Sequence, residues 1–223
     1  MKCSWHGHSV VQVETINNYK IIIDPFINGN DLCDLEVDKI DVDYIVITHA
    51  HNDHVGEALE IAKITNAPIV AMVELANFLE SQGATTHPMN IGGTAYFPFG
   101  SIKMTIAHHS SSYEFEGETI PMGLAAGVII DDGASKLYHA GDTALYMDMQ
   151  LIGPVDIAFL PIGDNYTMGI RDAVKAVNLI QPKKVVPIHY NTFPIIEQNP
   201  FDFTNRLDDG NGIVPKIGEV FEC

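Results

Sequence analysis

The sequence predicts an α/β protein in which two packed sheets carry helices on their outer sides. Short β-branched runs alternate with helix-length segments at both ends of the chain. A strand-rich stretch from Thr85 to Tyr138 lies between them, and no Pro- or Ser-rich linker interrupts the 223 residues. Strand-rich blocks flanked by helices bury apolar faces against each other in this way. The length suits one large domain or a compact pair of half-domains, and with no linker a single domain spanning residues 1–223 is expected. The pattern alone leaves open whether the layers form an αββα sandwich or another α/β arrangement.

Val10 to Ile16 alternates apolar and polar residues, and Lys20 to Ile23 follows as a second strand across an Asn17-Asn18 turn. Tyr44 to Thr48 and Pro68 to Met72 are buried strands. Gly56 to Ile64 and Glu74 to Gln82 are helices, the second stopped by Gly83. Ile102 to Ala107, Ala125 to Ile130 and Lys136 to His139 are strands, with Asp132-Gly133 as a hairpin signal. In the last third Tyr146 to Ile152 reads as helical, Val155 to Leu160 as a strand, Arg171 to Ile180 as a helix, Val185 to Ile188 as a strand and Phe201 to Leu207 as a helix. The tail from Ile213 to Phe221 reads as extended.

Composition narrows the partners. Twelve basic residues against 29 acidic ones leave a formal charge of -17, and no Lys/Arg cluster exceeds Lys183-Lys184. A nucleic-acid partner needs a basic footprint, so none is expected. The apolar run from Leu124 to Ile130 is too short to span a membrane, and no apolar leader follows Met1. A cytoplasmic protein acting on a small molecule is expected, with self-association into a homo-oligomer left open. Cys3, Cys33 and Cys223 are far apart and form no C-x-x-C pair, which reads as three reduced thiols.

The chemistry concentrates in His49-Ala50-His51-Asn52-Asp53-His54. Three imidazoles and a carboxylate fall within six residues, directly after a strand. These are the usual ligands of zinc and related divalent ions. Closed structural zinc sites favour cysteine, and none lies near, so a catalytic site with an open position is expected. His108-His109, Gly141-Asp142-Thr143 and His189 each follow a predicted strand as well, the place where α/β sites tend to lie.

The H-x-H-x-D-H segment, the later His, the Gly-Asp-Thr and the final His, in that order, resemble the metallo-β-lactamase superfamily. Gly7-His8-Ser9, Asp24-Pro25-Phe26, the run from Pro161 to Gly169, and the run from His189 to Pro194 resemble one branch, the UPF0173 metal-dependent hydrolases, relatives of the L-ascorbate-6-phosphate lactonase type. The resemblance implies a four-layer αββα metallo-β-lactamase sandwich, an α+β or α/β arrangement. It implies one divalent ion held by His49, His51 and His109, a second by Asp53, His54 and His189, and Asp142 between them. Asp53, Asp142 and His189 are read as the catalytic members. The residues do not decide between His108 and His109; the family places its ligand directly before a Ser-rich turn, here Ser110-Ser111-Ser112, which favours His109. Zinc is the expected metal, with manganese, iron and nickel also compatible with N/O ligands. A flavodoxin-like extension, a basic arm and an added helical domain, marks of other branches, are missing.

The implied function is metal-dependent hydrolysis by a hydroxide held between two ions, acting on a small ester or lactone. A phosphodiesterase on a small phosphorylated metabolite and a non-catalytic metal sensor are the alternatives. Scarcity of arginine, Arg171 and Arg206 only, favours the carbonyl substrate. Among secondary residues, Asp24 either orients a ligand His or caps a turn. His8 is a candidate to face the cleft. His139 reads as core, supporting or exposed, but not as a ligand. Tyr166, Met168, Tyr190 and Asn191 are candidates for substrate or supporting contacts. Ser110 to Ser112 read as turn residues, and His6 and His87 as surface histidines.

Overall fold

A computed structural model describes residues 1–207 and 210–223. The strands are β1 (Lys2–Trp5), β2 (Val11–Glu14), β3 (Lys20–Ile23), β4 (Tyr44–Val46), β5 (Ile69–Met72), β6 (Thr86–Met89), β7 (Thr94–Phe97), β8 (Gly100–Ile106), β9 (Ser112–Phe115), β10 (Glu118–Pro121), β11 (Ala126–Asp131), β12 (Lys136–His139), β13 (Ile157–Pro161), β14 (Lys184–Ile188) and β15 (Val220–Glu222). The helices are α1 (Asn52–Val55), α2 (Ala58–Thr65), α3 (Val73–Ser81), α4 (Ile170–Ile180) and α5 (Pro200–Thr204).

Two mixed sheets result. One runs β15-β1-β2-β3-β4-β5-β6, antiparallel as far as β3 and parallel beyond it. The other runs β14-β13-β12-β11-β8-β7, parallel from β14 to β12 and antiparallel beyond. The pleat sorts side chains between layers. Val11, Val13, Ile21, Ile23, Val46, Val70 and Met72 of the first sheet meet Ile102, Met104, Val128, Ile130 and Leu137 of the second. The intervening Ile22, Ile45, Ile69 and Ala71 face outward against Ile61 of α2 and Leu75 and Leu79 of α3. Burial on both faces explains why β3 and β5 read as unbroken apolar runs. On the far side α4 presents Ala173, Ala176, Val177 and Ile180, at helical spacing, to the core under the second sheet. Helices, sheet, sheet, helices is the expected four-layer αββα sandwich.

Several elements differ from the expectation. The helix expected over Gly56 to Ile64 is α2, starting two residues later, and an additional short helix, α1, precedes it and ends at Gly56, whose φ of 43° suits glycine and whose added Cβ would lie 2.2 Å from the Pro25 carbonyl oxygen. Strands β6, β9 and β10 have partly exposed, mixed-polarity sequences without clean alternation, and β7 alternates over only four residues. Tyr146 to Ile152 contains a short 3-10 turn over Met147–Leu151. Only the end of the tail is a strand: β15 pairs with β1, which local pattern also missed. That pairing corrects the reading of three free thiols, since Cys3 and Cys223 form a disulfide with Cα atoms 6.7 Å apart and only Cys33 is free. No described helix is long and apolar enough to cross a membrane.

Candidate metal centre

Most of the polar groups that converge on this centre leave the end of a strand. Asp24 follows β3, His49 follows β4, His109 lies beyond β8, Asp142 follows β12 and His189 follows β14. Asp53 and His54 lie on α1, a four-residue helix that begins directly after His51. The Asn52 side chain holds that helix against β9: its amide donates to the Glu114 carbonyl at 3.1 Å and its oxygen accepts from Glu114 N at 2.9 Å. Gly141 admits the turn into Asp142, because a Cβ there would meet Ala126 O and Thr48 Cβ, each at 2.9 Å. Asp24 and His189 both sit at positive φ (47° and 54°), a conformation that costs a non-glycine residue and that the fold enforces here.

The seven predicted residues come together. His49 Nε2 lies 3.0 Å from His51 Nδ1, which lies 3.3 Å from His109 Nε2. One carboxylate oxygen of Asp142 is 3.5 Å from His109 Nε2 and 3.0 Å from His189 Nε2; the other is 3.3 Å from His54 Nε2. Asp53 Oδ2 stands 4.0 Å from His189 Nε2. His109, half-buried, points inward, while His108 is exposed with its ring against Tyr146. The site opens to solvent on the side of His51, Asp53 and His109, where Ser110 is exposed; the other members are buried.

Hydrogen bonds outside the cluster orient the imidazoles. Asp24 is fully buried and accepts from Thr48 N (2.8 Å), Thr48 Oγ1 (2.7 Å) and His54 Nδ1 (2.7 Å). A carboxylate only accepts, so His54 carries its proton on Nδ1 and turns the Nε2 lone pair inward. The Thr48 hydroxyl spends its proton on Asp24, so its contact with His49 Nδ1 at 3.1 Å is an acceptor's, and His49 also turns Nε2 inward. Asp24 thus orients two histidines, which decides between the two readings its sequence position allowed.

Electrostatics point the same way. Burial pushes His49, His51 and His109 below the usual imidazole range, with the neighbouring imidazoles adding to the effect. Burial alone would raise Asp53 and Asp142. The hydrogen bond from His8 and the charge of His54 instead hold Asp53 below its ordinary value, and His189 and His54 hold Asp142 well below. Burial opposes a charge on His54, but Asp142 and Asp24 at its two nitrogens hold it well above 6.5. A metal ion would thus displace a proton from His54 Nε2 and leave the Nδ1–H on Asp24 in place.

The donor set fits divalent ions. His54 Nε2, Asp142 Oδ1 and both nitrogens of His189 are buried without a hydrogen-bond partner; a cation would satisfy His54 Nε2, Asp142 Oδ1 and the lone-pair nitrogen of His189. Three groups have donor atoms close enough to share an ion: His49, His51 and His109; His49, His54 and Asp142; and His8, Asp53, His54 and His189. Asp142 reaches both the His109 and the His189 ends.

His8 is buried in the site, as its position had suggested. His6 is not a surface residue: it is buried, with Nε2 2.8 Å from Ser4 Oγ and Nδ1 2.6 Å from Asp34 Oδ1, pinning β1 to the segment beyond β3. His87 is half-buried, its ring edge against Phe97. His139 is a core residue: Nε2 donates to the Ser9 carbonyl, and Nδ1 accepts from Gly141 N at 3.1 Å. Ser111 accepts from Ala50 N at 3.1 Å, a local structural bond. Met168 and Tyr190 are buried, Tyr190 stacked on Trp5, while Tyr166 is exposed. Sequence reasoning gave no role to Thr192, which lies in the run from His189 to Pro194 that resembles the branch and touches His8 Nδ1 at 3.0 Å.

This fold and this site define a metal-dependent hydrolase of the metallo-β-lactamase superfamily, to which the chain belongs; the family described as beta-lactamase superfamily domain matches residues 19–190. More narrowly, it is a member of the UPF0173 metal-dependent hydrolases. It is 53% identical over 224 residues to the UPF0173 metal-dependent hydrolase of Bacillus thuringiensis subsp. konkukian, with 98% of each chain covered. Among solved structures it resembles Igni18, a metallo hydrolase from the archaeon Ignicoccus hospitalis, at a TM-score of 0.89 and 37% identity over 100% of this chain and 98% of that one. The fold extends to CmlA, a diiron β-hydroxylase from Streptomyces venezuelae, at a TM-score of 0.73 and 15% identity over 100% of this chain and 54% of that one.

Proposed function

We propose that this hydrolase works at a dinuclear centre and cleaves a small ester or lactone. The observation that carries the dinuclear reading is Asp142, whose carboxylate reaches His109 on one side and His54 and His189 on the other while one of its oxygens lacks a hydrogen-bond partner. His49, His51 and His109 would hold one ion and Asp53, His54 and His189 the other, zinc being the expected metal. Divalent ions so held would supply a water of lowered pKa and a Lewis acid for the substrate oxygen.

The chain's own residues do the rest. Asp24 and Thr48 keep the Nε2 lone pairs of His54 and His49 turned inward. The buried side of the cluster excludes bulk water, and the side of His51, Asp53 and His109 admits substrate. Asp53, partly exposed and held ionised, is the carboxylate placed to take a proton from water or to return one to a leaving alkoxide. The ester or lactone reading rests on where the cations lie. Arg171, Arg206 and Lys175 line a separate cleft that contains none of the seven residues, so a phosphate here would meet no guanidinium clamp.

The test is metal content together with hydrolysis of aryl esters, lactones and bis-aryl phosphates, before and after chelation. About two ions per chain and chelation-sensitive cleavage of the carbonyl substrates are expected. Turnover confined to bis-aryl phosphates would replace the substrate class. Two ions with no turnover on any panel would favour a sensor. Fewer than two ions after reloading would remove the dinuclear reading.

A further inference from the structure

We propose that His8 is a positioning residue of this centre: its Nε2–H holds Asp53 Oδ2 and so fixes the carboxylate at the corner shared with His54 and His189. The inference rests on the dinuclear reading and adds a role for a residue outside the seven.

The argument begins with donors and acceptors. His8 Nε2 lies 3.2 Å from Asp53 Oδ2, and Nδ1 lies 3.0 Å from Thr192 Oγ1. Asp53, being a carboxylate, can only accept, so the proton sits on Nε2. Nδ1 is then an acceptor, and the Thr192 hydroxyl, which has no other hydrogen-bond partner among the described residues, donates to it. This tautomer satisfies all three groups, and it withholds the Nε2 lone pair from a metal ion.

The ring has nowhere else to go. It is fully buried, with its centroid 4.0 Å from that of His189, and Phe26 and Phe193 meet it edge-on at 5.5 and 5.6 Å. Its backbone is at φ 49°, after Gly7 at 86°, a turn that aims the side chain inward. The His8 carbonyl accepts from His189 N and from Trp5 Nε1, each at 2.9 Å. One residue thus ties the backbone of one corner group and the side chain of another.

Asp53 needs such a hold. It lies on the first turn of a four-residue helix, its side chain is 30% exposed, and among the described residues His8 is its side chain's one hydrogen-bond partner. Without His8 the carboxylate is free to rotate toward water, and partners of this kind typically tune metal affinity by about 10–100-fold.

The experiment is competition titration of zinc, and of cobalt followed by its visible spectrum, into metal-free wild type, His8→Ala, His8→Gln and Thr192→Val. Wild type should bind two ions. His8→Ala should bind one with unchanged affinity and the second about 10–100-fold more weakly, with an altered cobalt spectrum. His8→Gln, whose amide N–H can reach Asp53, should recover most of the loss. Thr192→Val, at a partly exposed position, should weaken the second ion by a smaller factor. Wild-type affinity for both ions in His8→Ala would overturn the proposal. So would a loss that His8→Gln does not recover, which would make His8 a ligand or a packing residue. Fewer than two ions in wild type itself would instead sink the dinuclear reading on which the proposal stands.

Discussion

Asp24 is the buried group on which two of the inward-facing histidines depend, and replacing it tests the orientation argument directly. The informative change is Asp24→Asn. Alanine would leave the Thr48 N–H, the Thr48 hydroxyl and the His54 Nδ1–H without an acceptor. At about 1–3 kcal/mol for each unsatisfied buried donor, that loss approaches the whole stability of a typical domain, about 5–15 kcal/mol. Asparagine keeps the shape and one oxygen, which can still accept from Thr48 N. Its NH2 group then faces His54 Nδ1, and two donors cannot meet at 2.7 Å. His54 must give up its Nδ1 proton and keep the one on Nε2, the atom aimed at Asp142. A metal ion binding there must first reverse that tautomer. Loss of such an orienting partner weakens affinity by about 10–100-fold, or about 1.4–2.8 kcal/mol. Stability should fall by about 1–3 kcal/mol from the mismatched pair, a Tm decrease of about 2–12 °C at this chain length. The assays are zinc competition titration and thermal melting of the metal-free protein. Wild-type affinity for both ions in a folded Asp24→Asn variant would refute the reasoning.

Asp142→Ala should lose more than the orienting partners do, beyond about 100-fold in affinity, because it reaches both halves of the centre; metal analysis after dialysis reads it. His6→Ala removes a buried structural contact and should lower stability by about 1–3 kcal/mol in a urea melt while leaving metal content unchanged. Gly56→Ala should destabilise by more than about 3 kcal/mol and express poorly, since its Cβ would lie 2.2 Å from Pro25 O at a positive φ; a soluble variant with a wild-type melt would contradict the close approach. For Asp132, burial opposes ionisation, but backbone N–H bonds from Ser135, Ile16 and Ala134 hold the carboxyl below 3.8. A depressed carboxyl stabilises above its ordinary value, and that contribution is lost as pH falls below about 4 through the native value. The stability gap between wild type and Asp132→Asn should therefore be full at pH 7 and narrow toward pH 3 in urea titrations.

Much of the site was legible because metal chemistry needs particular side chains and the strand ends bring them together. His49, His51, Asp53 and His54 crowd one turn, and Asp142 and His189 each directly follow a strand, so their residue types and their place after strands sufficed. The choice of His109 over His108 took family position; the structure separates them by the turn after β8, which sends one ring inward and the other to solvent. His6 was misread because a lone histidine carries no local mark of burial. Its partner Asp34 is 28 residues away. The edge strand β15 and its neighbour β1 were missed or blurred for a related reason, since β15 is a strand by virtue of pairing with β1, at the other end of the chain.

The amino-acid sequence by itself determined the layered class, through runs whose periodicity matches buried strands and amphipathic helices, and it supplied the candidate ligand side chains, apart from the choice between His108 and His109. Only the tertiary structure decided their geometry: which nitrogen of each ring faces inward, that Asp24 sets this for His49 and His54, that His8 and Thr192 join the site, and that Cys3 meets Cys223. Hydrogen-bond direction and burial are properties of the surroundings, and those surroundings are assembled from segments far apart in the chain.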